Sequence, residues 1–126
     1  MTRTLIEGID TGEVEIVRDL ILKGADIKEG DYTPLVYAVQ CGHEEIVRLL
    51  LVAGSDPNAR HGAALQSAML RNDVSMGRIL VTAGASPHQL DSHALRMAQL
   101  SGSEEAERWL KSLGVRDPRD MPVTSQ

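Results

Sequence analysis

Asp31-Tyr32-Thr33-Pro34-Leu35-Val36-Tyr37-Ala38-Val39-Gln40-Cys41-Gly42-His43-Glu44-Glu45-Ile46-Val47-Arg48-Leu49-Leu50-Leu51-Val52-Ala53-Gly54-Ser55-Asp56-Pro57-Asn58 contains two short helical patterns in succession. The first opens at Thr33-Pro34, a hydroxyl N-cap followed by a proline whose missing N–H costs nothing at the first helical position. Gly42 breaks it. The second starts near His43 and sets Ile46, Val47, Leu50 and Leu51 on one face. Gly54 ends it, since glycine adopts the left-handed geometry of a helix C-terminus without penalty. One such hairpin is too small to bury its own apolar face.

Its neighbours supply the cover. Gly12-Glu13-Val14-Glu15-Ile16-Val17-Arg18 mirrors Gly42 to Arg48, thirty residues on. At the same offset fall Leu5, Leu35, Leu65 and Leu95; Leu20, Leu50, Leu80 and Leu110; Arg18, Arg48, Arg78 and Arg108; and Gly24, Gly54, Gly84 and Gly114. Gly8, Ala38, Ala68 and Ala98 keep one position small in each first helix, where helices must approach closely. A period in this range means stacked repeats, in which each unit buries the face of the next.

Thr33-Pro34-Leu35, Ala38, Gly42-His43, Ile46-Val47, Leu50-Leu51 and Gly54-Ser55-Asp56 with Asn58 resemble an ankyrin repeat. The resemblance implies an all-α, ankyrin-type α-solenoid of four helix–turn–helix repeats, at about 2–30, 31–60, 61–90 and 91–114, followed by a tail over 115–126. Two departures stand out. The repeat is thirty residues long, against about 33 in the family, so its projecting fingers should shrink to short turns. The histidine that follows Thr-Pro-Leu in the family is replaced by Ile6, Val36, Gln66 and Arg96.

The composition agrees with a solenoid. Aromatic residues make up 2% of the chain and phenylalanine is absent. A core of Leu, Ile, Val and Ala stacked in one dimension does without rings. The net charge of −5 argues against a phosphate-binding surface, so no nucleic-acid partner is expected. A single Cys41 excludes an intrachain disulfide. No apolar run approaches a membrane span and Met1-Thr2-Arg3-Thr4 leads directly into a repeat, so a soluble, cytoplasmic chain is expected.

Several positions carry particular expectations. Glu15–Arg18, Glu45–Arg48 and Glu105–Arg108 stand three apart, predicting i,i+3 ion pairs worth roughly 0.2–0.5 kcal/mol each. Those acids would neutralise most of the arginine ladder; Ser75 interrupts the series beside Arg78. Asn72 takes a turn position held elsewhere by glycine, since asparagine tolerates left-handed geometry. Gly77 inside a helix costs roughly 1 kcal/mol against alanine, which predicts that the third repeat has the softest second helix. Lys111 replaces the apolar Ile21, Leu51 and Val81, and Trp109 should cover the C-terminal end of the stack.

No nucleophile motif, phosphate loop, dinucleotide fingerprint or metal-ligand spacing is present, so no enzyme activity, cofactor or metal is expected. His61 and His93 could approach one another on adjacent turns, but lack further ligands and read as surface histidines. Function then rests on surface placement. In the family, first helices and turns line a concave face, and the resemblance puts Glu7, Asp10, Tyr32, Tyr37, Gln40, Leu70, Arg71, Met97 and Leu100 there, with Thr11, Cys41, Ser67 and Ser101 beside them. Tyrosine and arginine concentrate binding energy in interfaces. An exposed apolar strip flanked by acids suggests a partner site, with Tyr37 its leading residue. The reading is a non-catalytic module that binds a protein partner on that face, as a monomer. The alternatives are a stand-alone inhibitor or antidote, such as a phage or bacterial counter-defence factor, and a self-assembling structural protein.

Overall fold

The structure is a computed structural model that describes residues 4–87 and 89–115, the side chains of 29–32 and 89–93 excepted. All regular structure among these residues is helical. The elements are α1 (Leu5–Thr11), α2 (Val14–Leu22), α3 (Glu29–Cys41), α4 (Glu44–Val52), α5 (Ala59–Leu70), α6 (Val74–Thr82), α7 (Gln89–Ser101) and α8 (Glu104–Ser112). They form four hairpins, α1–α2, α3–α4, α5–α6 and α7–α8, stacked in chain order. First helices pack on first helices, α1 on α3, α3 on α5 and α5 on α7. The chain is an all-α solenoid of the expected kind.

The thirty-residue register works through helix ends as much as through the core. Each second helix closes with a backbone N–H reaching back five residues: Ala25 to Leu20, Ser55 to Leu50, Ala85 to Leu80 and Val115 to Leu110. The left-handed Gly24, Gly54, Gly84 and Gly114 make that reversal possible. First helices close alike, with N–H groups of Glu13, His43, Asp73 and Ser103 on the carbonyls of Gly8, Ala38, Ala68 and Ala98. Asn72, with φ of 57°, stands in the left-handed position as expected. The leucines of the series, Leu5, Leu35, Leu65 and Leu95 with Leu50, Leu80 and Leu110, are buried in one continuous core. Val115, the first residue assigned to the tail, is also buried; residues 116–126 lie outside the described residues.

The connections differ from the sequence reading. α3 begins at Glu29, so Pro34 sits inside the helix and Thr33 is not its N-cap. The reason is the shortened connection. Asp26 Oδ1 accepts the Lys28 N–H at 2.9 Å, reversing the chain within a few residues. The next residues then wind directly into the helix, with no finger between. Asp56 and the Asn58 N–H repeat that turn at 2.9 Å. In the third repeat, which lacks Thr-Pro, helical geometry is interrupted by three left-handed residues, Arg60, His61 and Gly62, with φ of 55°, 58° and 78°.

The expected i,i+3 ion pairs are not formed among the described residues. The pairs that close are i,i+4, Asp19–Lys23 at 3.0 Å and Glu107–Lys111 at 3.3 Å. With the acid on the N-terminal side, that spacing lets the longer basic side chain lean back along the helix onto it. Arg108 instead turns its Nε to the carbonyl of Glu104, at 3.4 Å.

Gly77 has a packing role that its sequence position does not show. A Cβ there would lie 2.8 Å from both Met69 Cε and Trp109 Cζ3. Trp109 is half-buried as expected, but its ring covers α6 rather than the outer end of the stack. The glycine makes room for the ring.

Candidate functional site

The expected binding residues come from the last turns of the first helices. Asp10, Gln40, Leu70 and Leu100 recur at thirty-residue intervals on α1, α3, α5 and α7, and all four are exposed. Glu7, Tyr37, Ser67 and Met97 form a parallel row; Glu7 is exposed, and the other three are half-buried. Thr11, Cys41, Arg71 and Ser101 form a third row, in which Thr11 and Arg71 are exposed. The stacking of α1, α3, α5 and α7 therefore brings these residues onto one surface. The side chain of Tyr32 lies outside the described residues.

The two halves of that surface differ. Toward the N-terminal end the polar groups are tied to one another across repeats. The Tyr37 hydroxyl donates to Asp10 Oδ1 at 2.5 Å, joining α3 to α1. That bond, then partial burial and the Asp10 charge, push the Tyr37 phenol up from 10.0 to about 12. Arg71 donates through Nη1 to the Gln40 carbonyl at 2.7 Å, binding α5 to the C-terminal end of α3. A cation placed there also suits the negative pole of the α3 dipole. Tyr37 and Arg71 are thus ties between repeats.

Toward the C-terminal end the surface is apolar and open. Leu70 is 50% exposed and Leu100 is 69% exposed, on adjacent helices. Met97 packs partly against the core, so the strip expected from sequence narrows to these two leucines and the exposed edge of Met97.

Further ties join one repeat to the next. The His43 ring lies against Gly12, so that a Cβ there would fall 2.9 Å from His43 Cε1. Ser103 donates its hydroxyl to Asn72 Oδ1 and accepts the Ala106 N–H at 3.0 Å, capping α8 while joining α7–α8 to the preceding repeat. Asn58 spans two repeats, donating Nδ2 to the Gly84 carbonyl at 2.9 Å and accepting the Ser86 N–H at 2.7 Å. Asn58 had a signal, because the residue belongs to the repeat pattern; the others depend on angles between repeats.

No cluster of His, Cys, Asp and Glu converges as a metal site among the described residues, and the His93 side chain lies outside them. No described helix is long and apolar enough to cross a membrane. Residues 4–61 match a family model described as ankyrin repeats (3 copies). That stretch covers the first two hairpins, and the structure continues the same unit through two more. No curated protein matches the chain.

Proposed function

Because this chain is an ankyrin-repeat protein, and such repeats generally serve as protein–protein interaction modules, we propose that it binds a protein partner, without catalysis, on the surface formed by its first helices. The observation that carries this reading is the pair Leu70 and Leu100, exposed side by side on α5 and α7. Neighbouring exposed leucines on an ordered scaffold are a small apolar centre of the sort that anchors interfaces. Glu7, Asp10, Gln40 and Arg71 provide a polar flank, which governs orientation and encounter more than affinity. Tyr37 and Arg71 support the site chiefly by holding α1, α3 and α5 in fixed relation. Function follows from this surface, since the fold alone serves many partners.

The test is affinity capture from the native host, comparing the wild-type chain with Leu70→Glu/Leu100→Glu. Both substitutions fall on exposed positions, and the variant should melt as the wild type does. A partner captured by the wild type and lost by the variant is the expected result. A partner held equally by both would place the interface elsewhere.

A further inference from the structure

The second helices pack on one another more lightly than the first helices do. α2 packs on α4 and α6 packs on α8, whereas the contact between α4 and α6 is slighter than either. Between them runs a groove of about 560 Å³. Its floor is apolar, built from the half-buried Leu51 and Ile79, and Val52, 88% exposed, stands at its edge. Its charged lining residues are Arg48 on α4 and Arg78 on α6, with no acid among those that form it. This is where Ser75 interrupts the row of acids Glu15, Glu45 and Glu105. Neither arginine makes an ion pair among the described residues. A smaller groove of about 250 Å³ continues the surface past Arg48 and Val52 toward Val14 and Arg18, and there Glu45 joins the lining.

We infer that the α4–α6 groove receives a short amphipathic helix of another protein, with an apolar seam flanked on both sides by carboxylates. Two lightly packed helices leave a furrow between them that a third can enter, and helix-in-groove recognition uses that geometry. α4 and α6 are nine residues each, about 13 Å long, so the segment seated between them has about three turns. Its apolar seam replaces the packing that α4 and α6 do not give each other. The lips set the flanking chemistry: a guanidinium on each side selects a carboxylate on each side and disfavours lysine. The apolar floor separates this from a phosphate-binding surface, which would need a polar cationic track in a chain of opposite net charge. The site is separate from the leucine pair on the first helices, and either reading can fail without the other.

The experiment uses a displayed library of 16-residue helices. Seam positions are fixed as Leu and Ile, and the flanking positions vary among Glu, Gln, Ala and Lys. The library is selected on the full chain and, in parallel, on Arg48→Glu/Arg78→Glu. Glutamate should be enriched at both flanks on the wild type, and lysine on the charge-reversed chain. A synthetic peptide of the selected sequence should lose affinity roughly tenfold or more with Arg48→Glu/Arg78→Glu. Val52→Asp, which leaves both arginines in place, should weaken it as well. All three positions are exposed, and thermal melts check that each variant is folded. The inference is overturned if the flanks show no charge preference, or if the peptide binds both chains equally. It is overturned too if Leu70→Glu/Leu100→Glu abolishes binding, or if a DNA duplex binds through the arginines while no helix is selected.

Discussion

Ser55 occupies a position filled by Ala25, Ala85 and Val115 in the other repeats, directly after the left-handed glycine that closes each second helix. It is 5% exposed, and its Oγ has no hydrogen-bond partner among the described residues. A buried hydroxyl without a partner loses its water and gains nothing, which costs about 1–3 kcal/mol. Ser55→Ala removes that oxygen and keeps the Cβ that packs in the same register. The backbone N–H of residue 55 still reaches the Leu50 carbonyl, since that bond does not involve the side chain. The expected gain is therefore about 1–2 kcal/mol, which for a chain of this size raises Tm by roughly 4–8 °C. Urea titration should show a higher midpoint with an unchanged slope, the sign of altered stability rather than an altered unfolded state. Ala85→Ser provides the reciprocal, placing an unpartnered hydroxyl at the equivalent buried site at a similar cost. An unchanged or lower midpoint for Ser55→Ala would refute the reasoning, because it would mean that the hydroxyl has a partner worth keeping.

Gly77→Ala should destabilise by up to about 2 kcal/mol, since overpacking against Met69 and Trp109 outweighs the usual gain in helix propensity; in a Trp109→Leu background the same change should become neutral or favourable, and a double-mutant cycle of urea midpoints reads both. Asn58→Ala should cost roughly 1–2 kcal/mol by removing both bonds to the next repeat, with the Ser86 amide losing its protection from hydrogen exchange. Tyr37 holds its proton more tightly in the folded chain than in the unfolded one, about 12 against 10.0, so its bond to Asp10 contributes stability fully below pH 10 and loses it as pH rises to about 12. Urea midpoints of wild type and Tyr37→Phe should accordingly differ at about pH 9 and converge near pH 12.

The fold was legible because one residue type at each recurring position does one physical job. Leu50 and Leu80 fill the same layer, Gly54 and Gly84 make the same reversal, and Asn72 substitutes for glycine because its backbone tolerates the same angles. The rows of the first-helix surface were legible for the same reason, as helical phase fixes which residues share a face. Phase says nothing of how far two helices diverge. The gap between α4 and α6, and with it the setting of Arg48 and Arg78, was therefore hidden. Nor does it give side-chain reach: Glu45 and Arg48 are close in sequence yet unpaired, while Tyr37 and Asp10 are joined across repeats. The packing role of Gly77 is not legible in sequence because its neighbour, the ring of Trp109, lies on another repeat. The start of α3 was misread because a shortened connection changes where winding begins.

The light packing of the second helices has a mechanical consequence. Every joint of the stack is held mainly by its first helices, α1 on α3, α3 on α5 and α5 on α7. A stack fastened along one edge flexes most readily about that edge. Flexing widens or narrows the opposite edge and tilts Gln40 relative to Leu70 on the fastened edge. A load applied to either side of this solenoid is thereby felt on the other.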